Sequence, residues 1–444
     1  MKACSSVITS YPVPRIFGSV RAPGDKSCSH RALLLAGLAS GTSEISGLLE
    51  GEDVLRTGDA MSALGAQVER LGLGNWQVKG VGTDGLRAPT NALDFGNSGT
   101  GSRLMMGVIA GHPIKAQFVG DASLSARPMN RVIHPLSDMG AVVEASSGGR
   151  LPLILTGSSN LKPIVYAPPH ASAQVKSAIL LAGLGASGAT SVRETRMTRD
   201  HTERMLMGFG AELSVMREAD ARTVTIVGRQ RLSAQKLTVP GDPSSAAFLL
   251  TAALISPDGD VTLEGVLSNE TRDGYFQVVD RMGAGLGAEE VGEAAGERMI
   301  TLQASTAPLQ GLDVPEAVVP AMIDEFPILG VLASFATGTT RVTGAGELRV
   351  KESDRIGAVV SMLRVNGVEA EEREDGFIVE GCGGPPPGGG LVETHHDHRI
   401  AMSALVMGTA AKAPVTIDEA AMIQTSYPAF VDDMRAIGAD LRPA

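Results

Sequence analysis

Aromatic residues are scarce, 3% of 444 residues with a single Trp, which leaves little material for base-stacking surfaces or sugar platforms. Positive charge is short too: 38 Lys and Arg face 49 Asp and Glu, a formal net charge of −11. That balance excludes nucleic acid as the main partner and makes any local gathering of bases informative. The cysteines are Cys4, Cys28 and Cys382, an odd number at spacings that fit neither a metal knuckle nor a disulfide framework. Free thiols in a reducing compartment are expected, with Cys28 acting as a small apolar residue. No run of about eighteen apolar residues is present, so no membrane-spanning helix is expected. The opening MKACSSVITSYPVPR lacks a signal-peptide core, and the cytoplasm is the expected location. Glycine, by contrast, is plentiful at 54 residues in a chain that is 43% hydrophobic, a composition of many tight turns around buried cores. The length favours two domains.

The organising stretch is Pro23–Arg31, PGDKSCSHR. Upstream, Ile16-Phe17-Gly18-Ser19-Val20 alternates like the end of a strand. Downstream, Ala32-Leu33-Leu34-Leu35-Ala36 has no β-branched residue and favours helix. A helix therefore starts where Lys26, Ser27 and Arg31 are presented together. Its unpaired N–H groups and partial positive charge suit a phosphate or carboxylate.

The same device recurs. Polar helix starts at Asp25, Asn97, Ser172, Pro243, Asp324 and Asp397 are separated by 72, 75, 71, 81 and 73 residues. A second series, glycines that close apolar helices, falls at Gly65, Gly140, Gly210, Gly283, Gly367 and Gly438, at intervals of 75, 70, 73, 84 and 71. Glycine is the natural residue just past a helix end, where the backbone turns left-handed. Two independent series with one period imply six repeats, divided as two α/β domains of three. The seam is expected near Leu237–Pro240. The first helices of the repeats are too apolar for an exposed solenoid rim, so burial is expected.

Against the acidic background, Lys26, Arg31, Arg103, Arg127, Arg199, Lys351, Arg355 and Arg399 gather at these repeat-equivalent loops, and a cleft that collects anions is expected. Gly96–Arg103 matches a phosphate loop only as far as GxxxxG, then offers Ser-Arg where Lys-Ser/Thr is required. Thr394–Arg399 carries three His and an Asp, but side chains diverge from a helix start, and no metal or other cofactor is expected. Two acidic sites suit proton transfer. Asp324 opens the fifth such helix, where an Asp can cap or act as a base. Val350–Arg355 interleaves acids and bases, with Lys351/Asp354 and Glu352/Arg355 spaced like pairs on a helix surface.

The segments PGDKSCSHR, GNSGTGSR, GDASLSARPM, SAQVKSAILLAG, TRDHTE, IDEFPIL, RVKESDR and DHRIAMS occur in this order over nearly the whole chain. Together they resemble the 5-enolpyruvylshikimate-3-phosphate (EPSP) synthases, in wording similar to the bacterial class that binds glyphosate weakly. The resemblance implies a fold of two similar domains, each of three βαβαββ units (an inverse α/β barrel), with the site between them. It places residues 21–238 in the first domain and 239–444 with 1–20 in the second, with hinges near 18–22 and 237–241. The implied reaction moves the enolpyruvyl group of phosphoenolpyruvate to the 5-hydroxyl of shikimate 3-phosphate and releases phosphate. By motif, Lys26, Ser27 and Arg31 would meet shikimate 3-phosphate, Lys26 also reaching phosphoenolpyruvate. Ser172, Ala173, Gln174 and Arg199 would hold the acceptor ring and its phosphate. Asn97, Gly99, Arg127, Gln174, Arg355 and Arg399 would surround phosphoenolpyruvate. Asp324 would take the 5-hydroxyl proton, Glu352 would protonate the methylene carbon and later remove a proton from it, and Lys351 would contact the acceptor. The implied partners are two small anions and no nucleic acid or membrane; a monomer is expected.

Two positions depart from the pattern. Many members carry Lys three residues before the Pro of a C-terminal [FY]P pair, where this chain has Thr425. Gly99 stands where strongly glyphosate-tolerant members carry Ala. Two rivals remain at this point: the sister transferase that acts on a UDP-amino sugar, and a non-catalytic anion-binding module that would lack Asp324 and Glu352.

Overall fold

A computed structural model describes residues 7–444; Cys4 lies outside the described residues. The chain divides into two compact units, one of residues 24–240 with 293–297, the other of the described residues 7–23, 241–292 and 298–444. The chain passes between units at Pro23/Gly24 and again at Pro240/Gly241, two or three residues beyond the expected boundaries. The tip of the 287–305 hairpin (residues 293–297) groups with the 24–240 unit, which a division by sequence alone does not contain.

The first helix of each repeat is present: α1 (Lys26–Leu38), α2 (Gly99–Ala110), α3 (Ala173–Gly183), α4 (Pro243–Ile255), α5 (Phe326–Phe335) and α6 (His398–Gly408). Local chemistry starts them. Asp25, Ser98, Ser172, Asp242 and Asp397 each accept a backbone N–H of the first turn through the side chain, and Pro243 opens α4 where a missing N–H costs nothing. The second helices end at glycines with left-handed φ: 109° at Gly65, 111° at Gly140, 89° at Gly210, 102° at Gly283, 76° at Gly367 and 101° at Gly438. Both periodic series thus fall within two residues of real helix boundaries, Asp324 lying two residues before α5.

Among the described residues, each unit holds three small sheets around these helices. In the 24–240 unit, α2 packs on both α1 and α3; in the other, α4, α5 and α6 pack on one another. Every residue of α4 is buried, and Leu33, Leu34 and Leu35 of α1 are 0–1% exposed. Cutting one such Leu to Ala costs about 2–5 kcal/mol. The helices therefore form the inside of each unit and the sheets its outside.

The repeat pattern is completed by strands from distant parts of the chain. Residues 16–21 lie parallel to 259–264, Ile16 opposite Gly259 and Arg21 opposite Glu264. Residues 232–233 and 236–238 lie parallel to 39–40 and 44–46. Ile8–Tyr11 runs antiparallel to both 415–417 and 440–443, closing the sheet of the last repeat. Gly24 lets the chain enter α1 here, because a Cβ would lie 2.0 Å from the Gly47 carbonyl oxygen. No single described helix is long and apolar enough to cross a membrane.

Candidate active site

In the 24–240 unit the expected anion-binding residues lie at or beside the starts of α1, α2 and α3, and hydrogen bonds tie the three helices together. Lys26 Nζ pairs with the Asp53 carboxylate. Arg31 is 4% exposed, its Nε donating to Thr202 Oγ1 at 2.6 Å, its NH1 to the Ser27 carbonyl at 2.9 Å and its NH2 to Ser177 Oγ of α3 at 2.9 Å. Gln174, in the first turn of α3, donates to Thr100 Oγ1 at 2.9 Å and accepts from Arg103 NH1 at 2.7 Å, both on α2. Arg127 NH2 donates to Asn97 Oδ1 at 2.9 Å. Gly99 lies under both guanidiniums: a Cβ there would sit 3.1 Å from Arg103 NH1 and 3.2 Å from Arg127 NH1. Ser172 caps α3 ahead of Ala173, and Arg199 is half-buried in the segment before the helix His201–Gly208.

In the other unit, Asp324, Lys351, Glu352, Arg355 and Arg399 come together. Arg355, 1% exposed, is the hub. Its NH1 donates to Asp324 Oδ1 at 3.1 Å, its NH2 to Glu352 Oε2 at 2.6 Å, and its Nε to Asp397 Oδ2 at 2.8 Å. Lys351 Nζ reaches Asp324 Oδ1 at 3.3 Å, and Arg399 NH1 donates to the Asp324 carbonyl at 3.1 Å. Burial alone would depress the Arg355 pKa, yet Asp397, Glu352 and Asp324 push it well up, so the guanidinium stays charged. Burial would raise the Asp397 carboxyl, but Arg355 outweighs it and holds the group below the usual carboxylate range.

Asp324 is not the N-cap of α5: that position belongs to Glu325, which makes no side-chain cap bond. Asp324 is 14% exposed at the side chain, and Glu352 is 23% exposed, so both carboxylates reach the surface of their cluster.

The expected helix-surface pairing of Val350–Arg355 is corrected. The α-helix begins only at Arg355; Lys351–Ser353 is a bend and Asp354 the residue after it. Asp354 is the N-cap and pairs with Arg349 at 2.6 Å, not with Lys351. Only Glu352–Arg355 pairs at the expected spacing. Thr425 is occupied by closing its own turn, Oγ1 donating to the Met422 carbonyl at 2.7 Å, and brings no charge.

Within Thr394–Arg399, Asp397 pairs with Arg355 at 2.8 Å and His396 with Glu419 at 2.8 Å. Cys28, His201 and Glu297 bring donor atoms within 4.8 Å of one another. Within this buried group His201 Nδ1 meets Glu297 Oε1 at 2.7 Å. Burial, with Asp25 and Glu297 adding to it, pushes the Cys28 thiol well up and keeps the sulfur neutral.

Sequence reasoning missed Asp53 as the partner of Lys26, and a buried ion cluster at Lys176. Asp53 carried no local signal. Lys176 did: it is the one charged residue in the run Val175–Gly183 of an otherwise apolar helix.

Comparison with known proteins gives the family. The family model described as EPSP synthase (3-phosphoshikimate 1-carboxyvinyltransferase) matches residues 11–434. The chain is 64% identical over 437 residues to a 3-phosphoshikimate 1-carboxyvinyltransferase of Hyphomonas neptunium, covering 98% of this chain and 100% of that protein. The solved structure of an EPSP synthase from Acinetobacter baumannii is 42% identical, with a TM-score of 0.86 over 98% of this chain and 100% of that one. The enolpyruvyl transferase NikO from Streptomyces tendae shares the fold at 18% identity, with a TM-score of 0.76 and coverage of 99% of both chains.

Proposed function

The chain belongs to the EPSP synthase family, and from that footing we propose which of its groups carry the reaction. The enzyme transfers the enolpyruvyl group of phosphoenolpyruvate to the 5-hydroxyl of shikimate 3-phosphate, giving 5-enolpyruvylshikimate 3-phosphate and phosphate. In our reading Asp324 accepts the proton of the 5-hydroxyl as its oxygen bonds to the phosphate-bearing carbon of the donor. Glu352 protonates the methylene carbon, giving a tetrahedral adduct. The same carboxylate then removes a proton from the new methyl group as the C–O bond to phosphate breaks. The observation that carries this assignment is that one buried guanidinium, Arg355, holds both carboxylates, at 3.1 and 2.6 Å. Lys351 and Arg355 stabilise the charge that Asp324 bears before it takes a proton.

Phosphoenolpyruvate is bound in this reading by Lys26, Asn97, Gly99, Arg127, Gln174, Arg355 and Arg399. Shikimate 3-phosphate is bound by Lys26, Ser27, Arg31, Ser172, Ala173, Gln174 and Arg199, with Asp324 and Lys351 at its hydroxyl. Charge-assisted bonds of this kind contribute roughly 1.5–3 kcal/mol each. Fixed donors around a tetrahedral adduct are the largest source of stabilisation such a site has. The two described cysteines are free thiols, which suits the cytoplasmic location we assign, and the enzyme acts there as a monomer on two small anions. Phosphate release from phosphoenolpyruvate should require shikimate 3-phosphate. Release with a UDP-amino sugar instead, or none with either acceptor, overturns the reading.

Gly99 sets sensitivity to glyphosate in the same reading. The nearest atoms to a methyl group there are the tips of two flexible arginines and, at 3.8 Å, Leu124 Cδ1, so Gly99→Ala should fold normally. It should narrow the donor site and raise the inhibition constant for glyphosate by about tenfold or more, with a smaller rise in KM for phosphoenolpyruvate. Equal sensitivity of the two enzymes would sink the idea.

A further inference from the structure

Lys176 stands in the second turn of α3 with no part of its side chain exposed, and the residues from Val175 to Gly183 are all buried. An ammonium taken fully out of water is costly unless every donor finds an oxygen, and an apolar residue would pack there at less expense. Lys176 makes two hydrogen bonds and one further ion pair. Nζ lies 2.8 Å from Glu194 Oε2, 2.8 Å from Glu203 Oε1 in an ion pair, and 3.3 Å from the Thr198 carbonyl. Glu194 Oε1 also accepts from the Thr198 hydroxyl. Around them, Arg222 NH2 lies 3.8 Å from Glu203 and 3.7 Å from Asp200, and Asp200 is paired with Arg204 at 3.0 Å. Acids and bases alternate, so no carboxylate in the group lacks a cation.

Two features of this cluster point beyond packing. Residues 195–199 follow the strand Thr190–Glu194 as irregular chain, and Lys176 holds that segment at both ends, through Glu194 and through Thr198. Arg199 is the next residue. Beside Lys176 on α3, Ser177 shares a hydrogen bond of 2.7 Å with Thr202, and both hydroxyls accept from Arg31. Consecutive residues of one helix thus fix the backbone that carries Arg199 and the guanidinium of Arg31.

We infer that Lys176 is a positioning residue for the phosphate end of the acceptor site, holding the Thr198–Arg199 backbone in place before the ligand arrives. This rests on the assignment of Arg31 and Arg199 to shikimate 3-phosphate. An arginine that is already placed loses less freedom on gripping a phosphate, and a displacement of about 1 Å can cost up to about 100-fold.

The test compares Lys176→Met, which keeps the stem and removes the charge, with Lys176→Arg, which keeps it. Steady-state kinetics are run with each substrate varied and thermal unfolding alongside. Lys176→Met should raise KM for shikimate 3-phosphate by about tenfold or more, with KM for phosphoenolpyruvate and kcat changing much less, and Lys176→Arg should recover part of the loss. A lowered melting temperature with both KM values unchanged, or with both raised equally, leaves Lys176 purely structural and overturns the inference. Should Lys176→Met not fold, Thr198→Val removes the Thr198–Glu194 bond and keeps the ammonium; a selective rise in acceptor KM supports the inference, and no rise overturns it. Arg199→Ala separates the two levels. An unchanged acceptor KM in that variant removes the assignment of Arg199 itself. A raised one there, with Lys176→Met unchanged, removes only the positioning role.

Discussion

Asp324→Ala should lower kcat by on the order of 10²–10⁴, the range that a placed general base supplies, while leaving affinity for shikimate 3-phosphate within a few-fold. The fold gives reason to expect a clean variant. Asp324 is not the N-cap of α5, a position that Glu325 occupies. When the carboxylate is lost, Arg355 keeps Glu352 and Asp397 as partners. The acceptor's phosphate is assigned to residues of α1 and α3 and to Arg199, which the substitution does not touch. Phosphate release measures turnover and titration calorimetry measures binding. Retained turnover would contradict the assigned base, and loss of both turnover and folding would show Asp324 to be structural.

Arg355→Met should be the most damaging single change in that cluster for stability. The side chain is 1% exposed and meets Asp397 at 2.8 Å, Glu352 at 2.6 Å and Asp324 at 3.1 Å. Removing it strands Asp397, itself fully buried, as an acid without its cation. Breaking a buried pair in this way costs about 3–5 kcal/mol, read as a lower urea midpoint. Arg355→Lys should recover little, because a point charge cannot serve three carboxylates in a planar fork. The pH dependence has a definite sign. Arg355 holds the folded-state pKa of Asp397 below its unfolded value, so the stabilisation is complete above about pH 4 and fades as pH falls through the depressed value. Without the guanidinium the buried carboxyl takes its proton at higher pH, and the midpoint of acid unfolding should move up. An unchanged urea midpoint and acid limb would show that the cluster contributes nothing net.

Much of the candidate site was legible because helix termini are written locally. Asp25-Lys26-Ser27 announces a capped start with a base beside it, and the structure has Asp25 Oδ1 accepting the Cys28 N–H at 2.7 Å. Local spacing misled at Val350–Arg355, where a three-residue interval suited a helix but the α-helix begins only at Arg355. Lys351 and Asp354, freed from each other, serve Asp324 and Arg349. Asp397 could be named as a helix start and as one donor of a histidine-rich run. Nothing near it in the chain announced its tie to Arg355, 42 residues away.

The sequence by itself determined where helices begin and end, that the units repeat six times, which bases gather at the starts, and the family to which the chain belongs. Caps and left-handed glycines act within one turn, so their signal survives in the linear order of residues. Only the tertiary structure decided that residues 16–21 complete a sheet with 259–264 and residues 232–238 one with 39–46. It alone paired Lys26 with Asp53, Arg355 with Asp397, and Lys176 with Glu194 and Glu203. Such contacts join positions with no common period, and a buried charge takes whichever opposite charge packing brings within about 3 Å, a choice made by the fold as a whole.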